Sequence, residues 1–177
     1  MKNDNVNKLV KTSVLCSLSV VLVWLIHFPI IPGVTFLEYD PADICLLIAG
    51  LSYGTWWGIC ATAIVSVIQG ITVSIESGWI GIIMHFIATG TFVAVSSVIY
   101  KKTGKLAVSL ALGAVSMVIV MIPLNLIFTG IFMHAGVQTV AGMLIPAIIP
   151  FNIAKSAINA VICGLIFKRC EKYFAEK

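Results

Sequence analysis

Between residues 9 and 168 the chain is a succession of apolar runs, and a single charged side chain, Lys155, stands within what reads as membrane-spanning sequence. Crossing a bilayer as a helix takes roughly 20 apolar residues, and the runs reach that length. All other Lys and Arg residues gather into three clusters: Lys2, Lys8 and Lys11; Lys101, Lys102 and Lys105; and Lys168, Arg169, Lys172 and Lys177. A chain of 177 residues that is 60% hydrophobic and 10% charged, with mean hydropathy +1.09, is too apolar for a soluble domain. The net charge of +4 sits at segment ends, so it is a topology signal and not a nucleic-acid footprint.

Six spans are predicted, at about 9–28, 42–51, 55–75, 79–100, 106–132, and from 146 or 150 to 168. Placing both termini in the cytoplasm puts the three basic clusters inside and Glu38, Asp40, Asp43 and Glu76 outside. An odd number of spans would leave one basic cluster on the wrong face. The expected architecture is therefore an all-α, six-helix membrane bundle with cytoplasmic termini, residues 1–177 forming one integral membrane domain. The first run follows a short basic stretch, as in a signal peptide. It is long, however, and Pro29, Pro32 and Gly33 offer no small-residue cleavage pattern, so it reads as a retained helix.

Catalytic constellations are not evident. There is no H-E-x-x-H, no G-x-S-x-G, no P-loop and no Rossmann glycine pattern. His27, His85 and His134 are far apart in sequence, and His85 reads as a hydrogen-bonded packing residue of the fourth span. Cys16, Cys45, Cys60, Cys163 and Cys170 show neither C-x-x-C nor framework spacing and read as small packing residues. Asp40 and Asp43, with Pro41 between them, fit a helix N-terminus at the outer end of the second span. Neither a cofactor nor a metal is expected. A single short chain without repeats also offers no evident pore.

Binding is better supported. A cation at bilayer depth costs at least about 2.5–3.5 kcal/mol, so Lys155 marks a ligand, a partner or a pathway. Asn152, Lys155 and Asn159 are spaced i, i+3, i+7 and share one helix face. Lys155 lies 13 residues before Lys168, roughly 20 Å along a helix and out of reach of the cytoplasmic surface. Asn125 follows Pro123, whose missing N–H frees a carbonyl at similar depth. The stripe predicts a polar cavity opening outward. Thr62, Ser66 and Gln69 share a face of the third span and either line that cavity or pack. Trp24, Trp56, Trp57 and Trp79 fall near span ends as interfacial belts, whereas Tyr39 lies in a loop among acids, placed to stack on a planar ligand.

The segments F-P-I-I-P (28–32), L-E-Y-D-P-A-D-I (37–44) and L-L-I-A-G-L-S-Y-G (46–54), with the late P-F-N-I-A-K-S-A-I-N (150–159), resemble the substrate-binding S components of energy-coupling factor (ECF) vitamin transporters. Within that family the pattern is most similar to the riboflavin-specific branch (RibU). The resemblance implies a bacterial cytoplasmic-membrane protein that binds riboflavin, or FMN, from outside beneath the loop at 28–40. Leu37, Glu38 and Tyr39 of that loop would belong to the site, Tyr39 and its apolar neighbours burying the ring system, while Asn125, Asn152 and Lys155 would hydrogen-bond its polar edges or ribityl chain. Riboflavin is neutral, so Lys155 would act as a donor, with Glu38 or another nearby acid lowering the cost of its burial. The implied partners are a transmembrane coupling subunit (EcfT) and two ATPase subunits. Ser13 and Ser17 stand where S components carry small docking residues on the first helix. Other readings are an S component for thiamine, pantothenate or a queuosine precursor, and a membrane assembly factor with no small ligand.

Overall fold

The computed structural model describes residues 2–32, 34 and 36–174, with side chains from residue 4 to residue 170. Its helices are α1 (Lys2–Leu25), α2 (Ala42–Tyr53), α3 (Thr55–Thr72), α4 (Gly78–Thr103), α5 (Leu106–Leu124), α6 (Gly130–Phe132), α7 (Val137–Met143) and α8 (Ile149–Phe174). A π-turn at Asn125–Thr129 joins α5 to α6, and another at Leu144–Ile148 joins α7 to α8, so the eight helices stack into six columns. Five columns are long and apolar enough to cross a membrane: Asp4–Leu25, Thr55–Thr72, Ile75–Thr103, Leu106–Phe132 and Val137–Cys170. The sixth, Ala42–Tyr53, is a shorter apolar helix. This is the expected all-α, multi-pass membrane architecture.

Column ends follow local chemistry. Gly54 (φ 104°) and Gly104 (φ 66°) supply the positive φ that lets the chain reverse between α2 and α3 and between α4 and α5. The last column departs from the sequence reading, which started the sixth span at Pro146 or Pro150. The helix in fact begins at Val137 and runs through both prolines. Pro146 falls inside a π-turn, whose widened ring absorbs the missing N–H and the steric bulk that would break a regular α-helix. The column of α5 uses the same device two residues after Pro123.

Between α1 and α2 the chain forms a small hairpin. Strand β1 (Phe28–Pro29) pairs antiparallel with β2 (Glu38–Tyr39), and Phe28 packs on Tyr39 with ring centroids 5.6 Å apart. The hairpin tip joins an apolar cluster in which buried Leu37 meets Val140, Ala147, Ile148 and Phe151 of the last column. The larger core lies deeper, where α2 is buried on nearly every side: Ala42, Leu46, Leu47 and Ala49 are each at most 1% exposed. A short helix wrapped by its neighbours is apolar all round because no face meets lipid or water.

Close packing of α4 on α5 rests on Gly113, where an added Cβ would meet Ser96 Oγ and stand 2.9 Å from Phe92 O. Backbone on one side leaves no room to yield. Gly113→Val is expected to cost about 1–3 kcal/mol through overpacking, read as a lower unfolding temperature of the detergent-purified protein.

Candidate ligand-binding site

The site is built from a buried network on the inner face of α8. Lys155 (7% exposed) donates to Asp40 Oδ2 at 2.7 Å, and the Asp40 carboxylate is itself only 4% exposed. Its other oxygen accepts the Ala42 N–H at 3.1 Å, which ties the end of the hairpin to the first turn of α2. Asp43, fully buried, accepts from Thr89 of α4 at 2.7 Å and from Asn159 Nδ2 of α8 at 3.0 Å. Asn159 also donates to Asp40 O at 3.3 Å and accepts the Tyr39 hydroxyl at 3.0 Å. Burial, followed by the carboxylates of Asp40 and Asp43, raises the Tyr39 pKa, which keeps the phenol protonated for that bond.

This arrangement sharpens two expectations. Asp40 and Asp43 do flank the N-terminus of α2, and both are buried within the bundle, because α2 starts deep and the hairpin carries Asp40 in with it. Of the acids expected to pair with Lys155, Asp40 is its partner, whereas Glu38 is exposed on β2 and borders the cavity. A buried ammonium needs a buried counter-charge, and Asp40, held by the Ala42 N–H at the entry to α2, is buried beside it.

Beside this network lies a cavity of about 760 Å³, within the range of about 300–1,000 Å³ typical of small-molecule sites. The hairpin contributes Phe36, Leu37, Glu38 and Asp40, and α8 contributes Phe151, Asn152 and Lys155. The side formed by α3, α4 and their connection is mixed and carries most of the polar lining: Gln69, Thr72, Ser74, Glu76, Ser77 and His85 stand there among Val73, Ile75, Ile80 and Met84. The side formed by α5 and α6 is apolar, with Met117, Met121, Phe132 and Met133. Flexible thioethers and aromatic rings suit a flat apolar ligand.

Leu37, Glu38, Asn152 and Lys155 thus border one cavity, and Leu37 and Asn152 are among its most buried members. Tyr39 and Asn125 are not among its lining residues. Tyr39 turns inward to Asn159, and Asn125 is satisfied within its own helix, donating to Met121 O and accepting from Thr129 Oγ1, both at 2.8 Å. Thr62 and Ser66 back-bond to Gly58 O and Thr62 O, so of that face Gln69 alone borders the cavity. His85 is hydrogen-bonded as expected, its Nδ1 lying 2.8 Å from Ser66 Oγ, but it also faces the cavity. Ser13 and Ser17 are exposed on α1, and the Ser17 hydroxyl donates to Ser13 O at 3.0 Å.

Asp40, Asp43 and His85 each offer one oxygen or nitrogen atom, all within 4.8 Å of one another, as in a metal site. The Lys155 ammonium already pairs with Asp40, however, and fills the role of the cation. Removing one partner of that pair strands a buried charge. Lys155→Met or Asp40→Asn alone is expected to destabilise by about 3–5 kcal/mol, whereas the double variant recovers most of that loss. The check is a double-mutant cycle on unfolding temperature, in which additive losses would show that the two groups do not act as a pair.

Comparison with known proteins agrees with this picture across the whole chain. The family model described as "ECF transporter, substrate-specific component" matches residues 7–167. The chain is 33% identical to the riboflavin transporter FmnP of Bacillus subtilis (strain 168), over 97% of this chain and 96% of that one. It is 26% identical to the riboflavin transporter RibU of Lactococcus lactis subsp. cremoris (strain NZ9000), over 90% of each. A solved S component of a bacterial ECF transporter superposes with a TM-score of 0.82 at 25% identity, covering 99% of this chain and 100% of that one. The chain belongs to the substrate-specific (S) components of ECF transporters.

Proposed function

We propose that this S component captures riboflavin from outside the cell, as one integral membrane domain, and hands it to a coupling subunit and two ATPase subunits for import. The observation that carries the reading is a cavity in which Leu37, Asn152 and Lys155 meet an apolar, methionine-rich side. Its size and two-sided chemistry suit a planar ring bearing a hydroxylated chain, and the relatives named riboflavin transporters supply the ligand. The cavity lies at the end of the bundle that holds the hairpin and Glu76, away from the basic Lys101, Lys102 and Lys105, so by the positive-inside rule it opens outward.

Asn152 is the residue of α8 most clearly waiting for a ligand. Its amide donates to Ile148 O at 2.8 Å, while its buried Oδ1 has no protein partner. The isoalloxazine N3–H is a donor that Oδ1 can take. Lys155, held by Asp40, keeps two further N–H groups for ring or chain oxygens. Exposed Ser13 and Ser17 leave α1 a smooth face on which the coupling subunit can dock. No step here requires chemistry by the S component itself or a cofactor of its own; the energy comes from the ATPases.

The detergent-purified protein is expected to carry flavin absorbance and to bind riboflavin tightly by tryptophan quenching. Asn152→Ala should weaken binding about tenfold, the worth of one good hydrogen bond. A folded protein that ignores riboflavin would send the assignment to another vitamin.

The same geometry ranks the two flavins. Lys155 is the only Lys or Arg among the described lining residues and is neutralised by Asp40, while Glu38 and Glu76 add negative charge. A phosphate would meet acids without a free cation. Riboflavin is therefore expected to bind at least about tenfold more tightly than FMN near neutral pH; equal affinities in parallel titrations would refute the charge argument.

A further inference from the structure

Six buried side-chain oxygen or nitrogen atoms among the described residues have no protein hydrogen-bond partner, and three of them belong to residues lining the cavity: Gln69 Oε1, His85 Nε2 and Asn152 Oδ1. Asn152 belongs to the α8 grip described above. Gln69 and His85 stand on α3 and α4, on the cavity's polar side, and no motif of the sequence singled out that pair.

The proton inventory of this side is readable. Ser66 directs its hydroxyl at Thr62 O, 2.7 Å away, so it receives a hydrogen from His85 Nδ1. Its Nε2 faces the cavity, 3.6 Å from Asp43 Oδ1 and beyond hydrogen-bond reach, without a partner of its own. Gln69 Oε1 is an acceptor without a partner, on a residue 9% exposed. Buried polar atoms left unpaired at a cavity wall are costly unless a ligand supplies the partners. A flavin ring offers one N–H, which the α8 grip can take. Hydroxyl groups are the other donors on the ligand.

We infer that Gln69 and His85 form a second grip that binds the hydroxylated chain of the ligand, and so separate riboflavin from flavins that lack it. This rests on the riboflavin reading and deepens it. The ring lies against the Met117, Met121 and Phe132 side, its polar edge at Asn152 and Lys155, and the polyol chain turns toward α3 and α4. His85 is also bonded to Ser66 behind it, whereas Gln69 Oε1 has no protein partner and is the cleaner probe.

The test is a matrix of dissociation constants for riboflavin and lumiflavin, which has the same ring with a methyl group in place of ribityl. Wild type, Gln69→Met and His85→Gln are compared, with binding followed by quenching of flavin fluorescence. Gln69→Met keeps the shape and removes the acceptor, and should weaken riboflavin binding about tenfold while leaving lumiflavin unchanged. His85→Gln should act in the same direction, and retained lumiflavin binding reports that each variant is folded. Riboflavin affinity unchanged in Gln69→Met would overturn the inference, since the acceptor would then be satisfied by water or protein. Equal losses for both flavins would overturn it as well, pointing to a packing role. Wild-type protein that binds neither flavin would instead refute the riboflavin reading beneath it, a result visible before any variant is made.

Discussion

The ion pair between Asp40 and Lys155 organises the rest of the site. It joins the end of the hairpin to the last transmembrane column, and through Asp40 Oδ1 it also fixes the start of α2. Asn159 and Asp43 extend the bond pattern to Tyr39 and Thr89, so four separate segments converge on one buried polar knot. Such a knot stabilises only when nearly every member is satisfied, because an unpaired charge at this depth is penalised far more than the pair is rewarded. The hydrogen bonds around both carboxylates meet that condition.

The knot also explains how a loop can cover a ligand in a membrane protein without floating free. The hairpin is pinned at Asp40 and seated by Leu37 on Val140, Ala147 and Ile148, and between these points it borders the cavity. Ligand capture is thereby linked to the position of α8, since Asn152 and Lys155 are one turn apart on the same helix. On the proposed riboflavin reading, Asn152 Oδ1 takes the ligand while the Lys155 ammonium anchors the hairpin. One helix face performs both tasks.

Much of this was legible in the sequence. The spans emerged from run length and basic clusters, and Lys155 announced the site by its cost at bilayer depth. The spacing of Asn152, Lys155 and Asn159 gave a common helix face, and all three are buried there. Other features depended on long-range geometry. Residues 40 and 155 are 115 positions apart, and nothing local tells Asp40 from Glu38 as the lysine's partner. Asp43 is the helix-end acid its sequence suggested, but its burial was not legible, because the chain's descent into the bundle before α2 leaves no periodic trace. Pro146 and Pro150 argued for a helix start, and the π-turn that carries the helix through them has no clear sequence signature. Tyr39 and Asn125 had the right chemistry for a ligand, but Asn159 and Thr129 occupy their polar atoms. Gln69 and His85 stood out less than the lysine because a lone polar residue in a span more often packs than binds.

The central claim is that the cavity beside the Asp40–Lys155 pair is the flavin site. A structure of the protein bound to riboflavin tests it most directly. The account predicts the ring between Leu37 and the Met117–Met121 side, Asn152 Oδ1 within hydrogen-bond distance of the ring edge, and Lys155 still bonded to Asp40. A flavin seated elsewhere in the bundle, or a Lys155 that leaves Asp40 to reach it, would contradict the account.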